Sequence, residues 1–249
     1  MNLDRVIAVR TTKTVYRDAD LCIKVFNREF SKAEVLNEAL NQAIVEETGL
    51  NVPKIKEVTT INGKWVIASE FIEGKTLSAL MKENPNKKDE YIDLFVALQL
   101  EVLSKSAPNL IRLKDKINRN IRLAQLDATT RYDLHTRLEN MPKHNNLCHG
   151  DFVPSNIIIT PSGVPFITDW AHASQGNATA DAAITYLTLK LTGDTETAKK
   201  YIEKFCEKSG RPKKYVQKWL PIIAASQSVK YNDRDRERLL SWSNVVDYE

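Results

Sequence analysis

Three cysteines in 249 residues, none in a CxxC spacing, leave no disulfide framework and no cysteine metal site to look for. Cys22, Cys148 and Cys206 are far apart, and two stand among apolar neighbours (Leu21-Cys22-Ile23 and Leu147-Cys148). That is the setting of small buried thiols in a reducing compartment. A charge excess is also missing: 36 Lys and Arg face 32 Asp and Glu, a net charge of +4. So small an excess, spread along the chain at helical spacing, gives no footprint for nucleic acid. No apolar run approaches the length of a bilayer span. Met1-Asn2-Leu3-Asp4-Arg5 leads into no apolar signal core, so a cytoplasmic protein without a membrane partner is expected. Glycine is sparse, eight in all, and the first is Gly49. Repeats and low-complexity segments are absent. What remains is the composition of a globular chain, 42% hydrophobic and 8% aromatic, long enough for a sizeable core.

The first quarter reads as strands around one helix. Val6–Val9, Lys13–Arg17 and Leu21–Phe26 alternate or cluster β-formers, with Asp18-Ala19-Asp20 turning the chain between the last two. Ser31 followed by Glu34 is a capping-box pattern. The helix it opens should bury Val35, Leu36, Ala39, Leu40, Ala43 and Ile44 and end at Gly49. Two strands, 55–60 and 64–71, flank Asn62-Gly63, a hairpin signal. From Gly74 the pattern turns helical: a short helix from Thr76, a long apolar one capped by Asp89, amphipathic helices over about 110–126 and 129–140, and more over 179–248. This predicts an α+β chain in two lobes. Residues 1–73 form an antiparallel-sheet lobe with one helix, and residues 74–249 a mostly helical lobe.

The informative stretch is LCHGDFVPSNIII, residues 147–159. Asn156 follows Asp151 by five residues, and Asp169 follows Asn156 by thirteen, at the end of the strand after a Pro161-Ser162-Gly163 turn. Mg²⁺ takes hard oxygen ligands, one or two from protein and the rest from phosphate and water. Asn156 and Asp169 suit that role, and Asp151 suits accepting a proton from, or orienting, an attacking hydroxyl. Each residue alone is an ordinary turn or cap residue; the set at this spacing points to phosphoryl transfer. Lys24, inside an apolar strand, can reach nucleotide phosphates if a carboxylate positions it. Glu38 on the following helix is the candidate, with Glu34 one turn away as the alternative.

These residues resemble the kinase-like small-molecule phosphotransferases, the aminoglycoside phosphotransferase and choline kinase superfamily, over most of the chain. His149-Gly150-Asp151-Phe152-Val153-Pro154-Ser155-Asn156 is similar to that family's HGDxxxxN catalytic loop, and Thr168-Asp169-Trp170 to its metal-binding Asp. The resemblance implies a two-lobed protein-kinase-like fold and an enzyme moving the γ-phosphoryl of Mg-ATP or Mg-GTP to a hydroxyl of a small molecule. Lys24 would be the phosphate-binding lysine, Glu38 its partner, Asp151 the catalytic residue, and Asn156 and Asp169 the Mg²⁺ ligands. Ile67–Gly74 resembles the hinge between lobes, where backbone groups near Glu70 and Ile72 would hold the purine. Asp181 would hold the catalytic loop by hydrogen bonds, and His149 would pack beneath it. His172 stands three residues past Asp169, near enough in sequence for phosphates or substrate. One departure stands out. The turn Arg10-Thr11-Thr12-Lys13 has no glycine, so phosphate grip should rest more on Thr and Lys side chains than on close-approaching backbone.

The acceptor is harder to read. A polycationic aminoglycoside needs carboxylates, and Asp233, Asp235, Glu237 and Asp247-Tyr248-Glu249 are available, interleaved with Lys and Arg. A quaternary ammonium needs an aromatic cage, which Trp170, Trp219, Tyr231 and Trp242 could supply, although such spacings also make helix-packing core. Two alternatives stay open: a catalytically silent nucleotide- or ligand-binding module on the same scaffold, and an atypical protein kinase. Only eleven residues separate Asp169 from Asp181, which leaves no long activation segment and favours a small acceptor.

Overall fold

The computed structural model describes residues 1–243, so Asp247, Tyr248 and Glu249 lie outside the described residues. The elements run β1 (Val6–Val9), β2 (Lys13–Asp18), β3 (Leu21–Phe26), α1 (Lys32–Glu46), β4 (Ile55–Ile61), β5 (Lys64–Glu70), β6 (Lys75–Thr76), α2 (Leu77–Glu83), α3 (Lys88–Ser104), α4 (Leu113–Leu123) and α5 (Ala128–Asn140). They continue as β7 (Asn146–Cys148), β8 (Ile157–Ile159), β9 (Pro165–Ile167), β10 (Ser174–Gly176), α6 (Ala178–Leu191), α7 (Thr195–Ser209), α8 (Lys213–Ser228) and α9 (Asp233–Ser243). None of these helices is long and apolar enough to cross a membrane.

Two compact units divide the chain: residues 1–84 with 154–173, and residues 85–153 with 174–249. A cut by composition near 72–75 would place β6 and the β8–β9 hairpin elsewhere. They fall with the first unit because Lys75 and Thr76 pair with Ile159 and Ile158 in a sheet ordered β6-β8-β9.

The first unit is built on an antiparallel sheet ordered β1-β2-β3-β5-β4. Two tight turns fix its register. Ala19 lies in the left-handed region (φ 50°) between Asp18 and Leu21, which pair. Asn62 and Gly63 (φ 51° and 72°) supply the two positive-φ residues of a type I′ hairpin between β4 and β5. Phe26, Ile67, Val35 and Ala39 join sheet to α1 in one core cluster. Ser31 caps α1 by accepting the Glu34 N–H, while the Glu34 carboxylate accepts the Ser31 N–H at 2.9 Å.

The face α1 buries is not the expected apolar stripe. Leu36 and Leu40 are exposed, and the buried positions are Val35, Glu38, Ala39, Asn41, Gln42 and Val45. Three polar residues occupy the inner face because each has a partner there. Gln42 donates to the Pro53 carbonyl, Asn41 to the Ala171 carbonyl at 3.2 Å, and Glu38 accepts from lysines.

The second unit is helical. β7 and β10 form a short antiparallel pair, Cys148 opposite Ser174. Phe95 of α3 stacks on Phe152 at 4.9 Å and lies 5.5 Å from Tyr201 of α7, placing an aromatic core under the 149–152 loop.

Candidate active site

In the first unit, β2 and β3 pair with Val15 opposite Lys24 and Lys13 opposite Phe26. Residues two apart share a face, so Lys13 is the diagonal neighbour of Lys24 on the same side of the sheet. Both ammonium groups reach the same two carboxylates. Lys24 Nζ is 2.8 Å from Glu38 Oε1 and 3.5 Å from Asp169 Oδ1. Lys13 Nζ is 3.2 Å from Glu38 Oε1 and 3.1 Å from Asp169 Oδ1. Glu34, the alternative partner, is spent on the α1 cap. Burial works against the Lys24 charge, but Asp169 and Glu38 together outweigh it and raise the pKa above its ordinary value.

The β8–β9 hairpin places Asn156 and Asp169. Ile157 pairs with Ile167, which brings Asn156 opposite Thr168. The Thr168 N–H (2.8 Å) and hydroxyl (3.1 Å) both donate to the Asn156 carbonyl. Asp169 follows in the left-handed region (φ 66°), a conformation that costs about 1–3 kcal/mol for a residue other than glycine and turns its side chain out of the strand direction. Trp170 is fully buried behind it. An amide and a carboxylate are hard oxygen donors of the kind Mg²⁺ takes when phosphates complete its shell. The described residues hold no group of three or more His, Cys, Asp or Glu able to bind a metal alone. Two such donors would leave most of an ion's shell to oxygens from outside the protein.

A cavity of about 90 Å³ in the same unit is lined by Cys22, Lys24, Ser69, Glu70, Ile72 and Asp169, among others. The Glu70 N–H donates to the Lys54 carbonyl at 2.9 Å, and its carboxylate holds Lys56 at 2.8 Å.

In the second unit, Gly150 (φ 78°) makes the turn that precedes Asp151. Its N–H donates to Asp181 Oδ1 at 2.8 Å. Asp181, fully buried in the first turn of α6, also accepts from Gln99 at 3.2 Å, and the Tyr201 hydroxyl donates to Gln99. Burial pushes the Asp181 carboxyl up, opposed by the Gly150 N–H. The Asp151 N–H donates to His149 Nδ1 at 3.2 Å, and the buried His149 ring meets Phe152 edge-on at 5.7 Å. The backbone leading into Asp151 is thus fixed.

Two lysines that the sequence did not single out, Lys116 and Lys230, lie near this loop. Asn120 of α4 donates to the Ser226 carbonyl (3.2 Å) and hydroxyl (3.3 Å) on α8. Lys116 lies one turn before Asn120, and Lys230 four residues past Ser226. Lys230 is within electrostatic reach of Asp151. Burial, with Lys230 and Arg119 nearby, lowers the Lys116 pKa to about 7. A lysine depressed in the folded state leaves the unfolded chain binding more protons between pH 7 and the ordinary lysine value of about 10.4. Stability should therefore rise with pH across that window. Lys116→Met is expected to unfold at higher urea than wild type at pH 6.5 and to match it near pH 10; equal midpoints at pH 6.5 would refute the depressed ammonium.

The residues named as acceptor-binding candidates are mostly committed elsewhere. Asp233 pairs with Arg236 at 2.6 Å and Asp235 with Arg238 at 3.4 Å. Trp170 and Trp219 are buried, and Trp242 packs edge-on against Tyr186 at 6.2 Å.

The model of the phosphotransferase enzyme family (APH) matches residues 3–215. No curated protein matches the chain. A choline/ethanolamine kinase family protein from Mesorhizobium loti superposes with a TM-score of 0.65 at 16% identity, over 99% of this chain and 89% of that one. Choline kinase LicA from Streptococcus pneumoniae gives 0.65 at 14% identity, over 97% and 92%, and has also been solved with AMP. Aminoglycoside phosphotransferase APH(4)-Ia gives 0.70 at 14% identity, over 95% and 90%; a thermostable mutant of it was solved with AMP-PNP and hygromycin B. At these identities the likeness carries the fold: an antiparallel-sheet N-terminal region followed by a helical C-terminal one.

Proposed function

The chain belongs to the phosphotransferase enzyme family, and from that premise we propose that it moves the γ-phosphoryl of ATP or GTP to a hydroxyl of a small molecule. The observation that carries the reading is the convergence of Lys24, Glu38 and Asp169 beside a cavity lined by Glu70 and Ile72. In this reading residues 1–73 supply the nucleotide-holding groups, with the backbone near Glu70 and Ile72 on the purine and Lys24, positioned by Glu38, on the phosphates. Residues 74–249 supply the catalytic loop and acceptor site. Asn156 and Asp169 would hold Mg²⁺, which when bound neutralises phosphate charge. Asp151 orients the acceptor hydroxyl and takes its proton, held in place through Gly150 and Asp181.

The surroundings of Asp151 favour an acceptor that carries a carboxylate or phosphate beside its hydroxyl. Lys230 supplies positive charge there, which repels a polycation, whereas Asp233 and Asp235 each have an arginine partner. The test is a thermal melt with ATP and GTP, with and without Mg²⁺, followed by transfer assays on glycerate, glycerol 3-phosphate, kanamycin and choline. A nucleotide at about 100 times its dissociation constant adds about 2.7 kcal/mol, about 5–10 °C for a chain of this size. A Mg²⁺-dependent shift with either nucleotide supports the donor site, and faster transfer to the anionic pair supports the acceptor class. No shift with either would replace the enzyme by a silent binding module.

A further inference from the structure

We propose that Lys13 is a second phosphate-binding lysine, a side-chain replacement for the backbone amides that a glycine-rich loop would present. The inference rests on the donor-site reading above and adds a residue to it.

Three observations carry it. First, the turn before Lys13 is poorly built to wrap a phosphate chain with its backbone. It has no glycine, and it is pinned: the Arg10 N–H donates to the Lys13 carbonyl at 2.9 Å, the Asn27 N–H to the Thr12 carbonyl at 2.9 Å, and the Asn27 side chain to the Thr11 carbonyl at 2.9 Å. Close approach by main-chain N–H groups needs residues free to turn toward the ligand. Second, Lys13 Nζ already sits where phosphate oxygens would be held. It shares Asp169 Oδ1 and Glu38 Oε1 with Lys24, and its side chain is only 12% exposed. Third, the charge balance of this group depends on Asp169. One lysine satisfies one buried carboxylate, whereas two like charges on diagonal strand positions repel unless other groups offset them. Two lysines with two carboxylates make a neutral group without ligand. If Asp169 turns to a cation, Lys13 gives up one of its two acceptors, and a polyphosphate is the natural replacement.

The roles of the two lysines then differ. Lys24 keeps Glu38 at 2.8 Å and stays positioned, while Lys13 divides itself evenly between Glu38 and Asp169 and is the one released to the ligand.

The test is calorimetric binding of adenosine, ADP and ATP, the last two with Mg²⁺, to wild type, Lys13→Ala, Lys13→Arg and Lys24→Ala, each with a nucleotide-free melt. The expected result is a loss that grows with phosphate count. Lys13→Ala should bind adenosine within about twofold of wild type and Mg-ATP about 10- to 100-fold more weakly, the span of one charge-assisted contact. Lys13→Arg should recover most of it. An equal loss for adenosine and ATP would make Lys13 structural and overturn the proposal. So would an unchanged ATP affinity in Lys13→Ala while Lys24→Ala weakens, and in that case the donor site stands. If wild type binds none of the three, the donor site itself falls and Lys13 with it.

Discussion

Asp151→Asn is expected to lower phosphoryl transfer by about 10²–10⁴-fold, the range for loss of a general base, while the Mg-ATP dissociation constant changes by less than about threefold. The asymmetry follows from what holds the residue. Its backbone is fixed by two contacts that do not involve the carboxylate: the Asp151 N–H on His149 Nδ1 and the neighbouring Gly150 N–H on Asp181. Asparagine keeps the size and the main-chain bonds, so the loop should hold its shape and the fold its melting point. What is lost is an acceptor for the hydroxyl proton, and with it the charge that Lys230 faces. A steady-state assay beside a nucleotide titration checks this. Transfer within tenfold of wild type would remove Asp151 from the chemistry; weakened ATP binding with normal turnover at saturation would make it a nucleotide ligand instead.

How far the sequence discloses these groups depends on the distance over which each is placed. Local devices are legible. The Ser31–Glu34 box, the Asn62-Gly63 turn and the strands around them follow from neighbouring residues. Hairpin register carries the reading further, because a tight turn dictates every pair beyond it. The turn at Ala19-Asp20 sets Lys13 diagonal to Lys24, and the turn at 161–163 sets Asn156 beside Thr168 and Asp169. Lys13 was thus deducible from spacing, but a lysine at the start of a strand looks like an edge charge. Periodicity misled on α1 because Glu38, Asn41 and Gln42 take the inner face that Leu36 and Leu40 would be assigned on hydrophobicity. Local pattern gives way there to the polar partners those three residues meet. The approach of Lys116 to Lys230 left no trace at all. It depends on α4 packing against α8, whose tie through Asn120 and Ser226 spans 106 residues.

Glu38→Ala should be the most damaging substitution in the first unit, costing about 3 kcal/mol or more of stability, the range for breaking a buried ion pair by removing one partner. Glu38 is 6% exposed and is the shorter contact of Lys24. Without it, two ammonium groups whose side chains are 12% and 14% exposed share one oxygen of Asp169. For a chain of this length the melting point would fall by about 6–12 °C. A double mutant separates charge from packing. If the penalty is two lysines facing too little negative charge, Lys13→Met should be mildly destabilising in wild type and stabilising on top of Glu38→Ala, a coupling of about 1–3 kcal/mol. Additive losses in urea unfolding would mean that Glu38 matters for filling space rather than for holding the lysines. Coupled losses would tie the fold of this unit to the charge balance that a polyphosphate ligand is expected to perturb, so that the groups stabilising the nucleotide-free protein are the ones that meet the nucleotide.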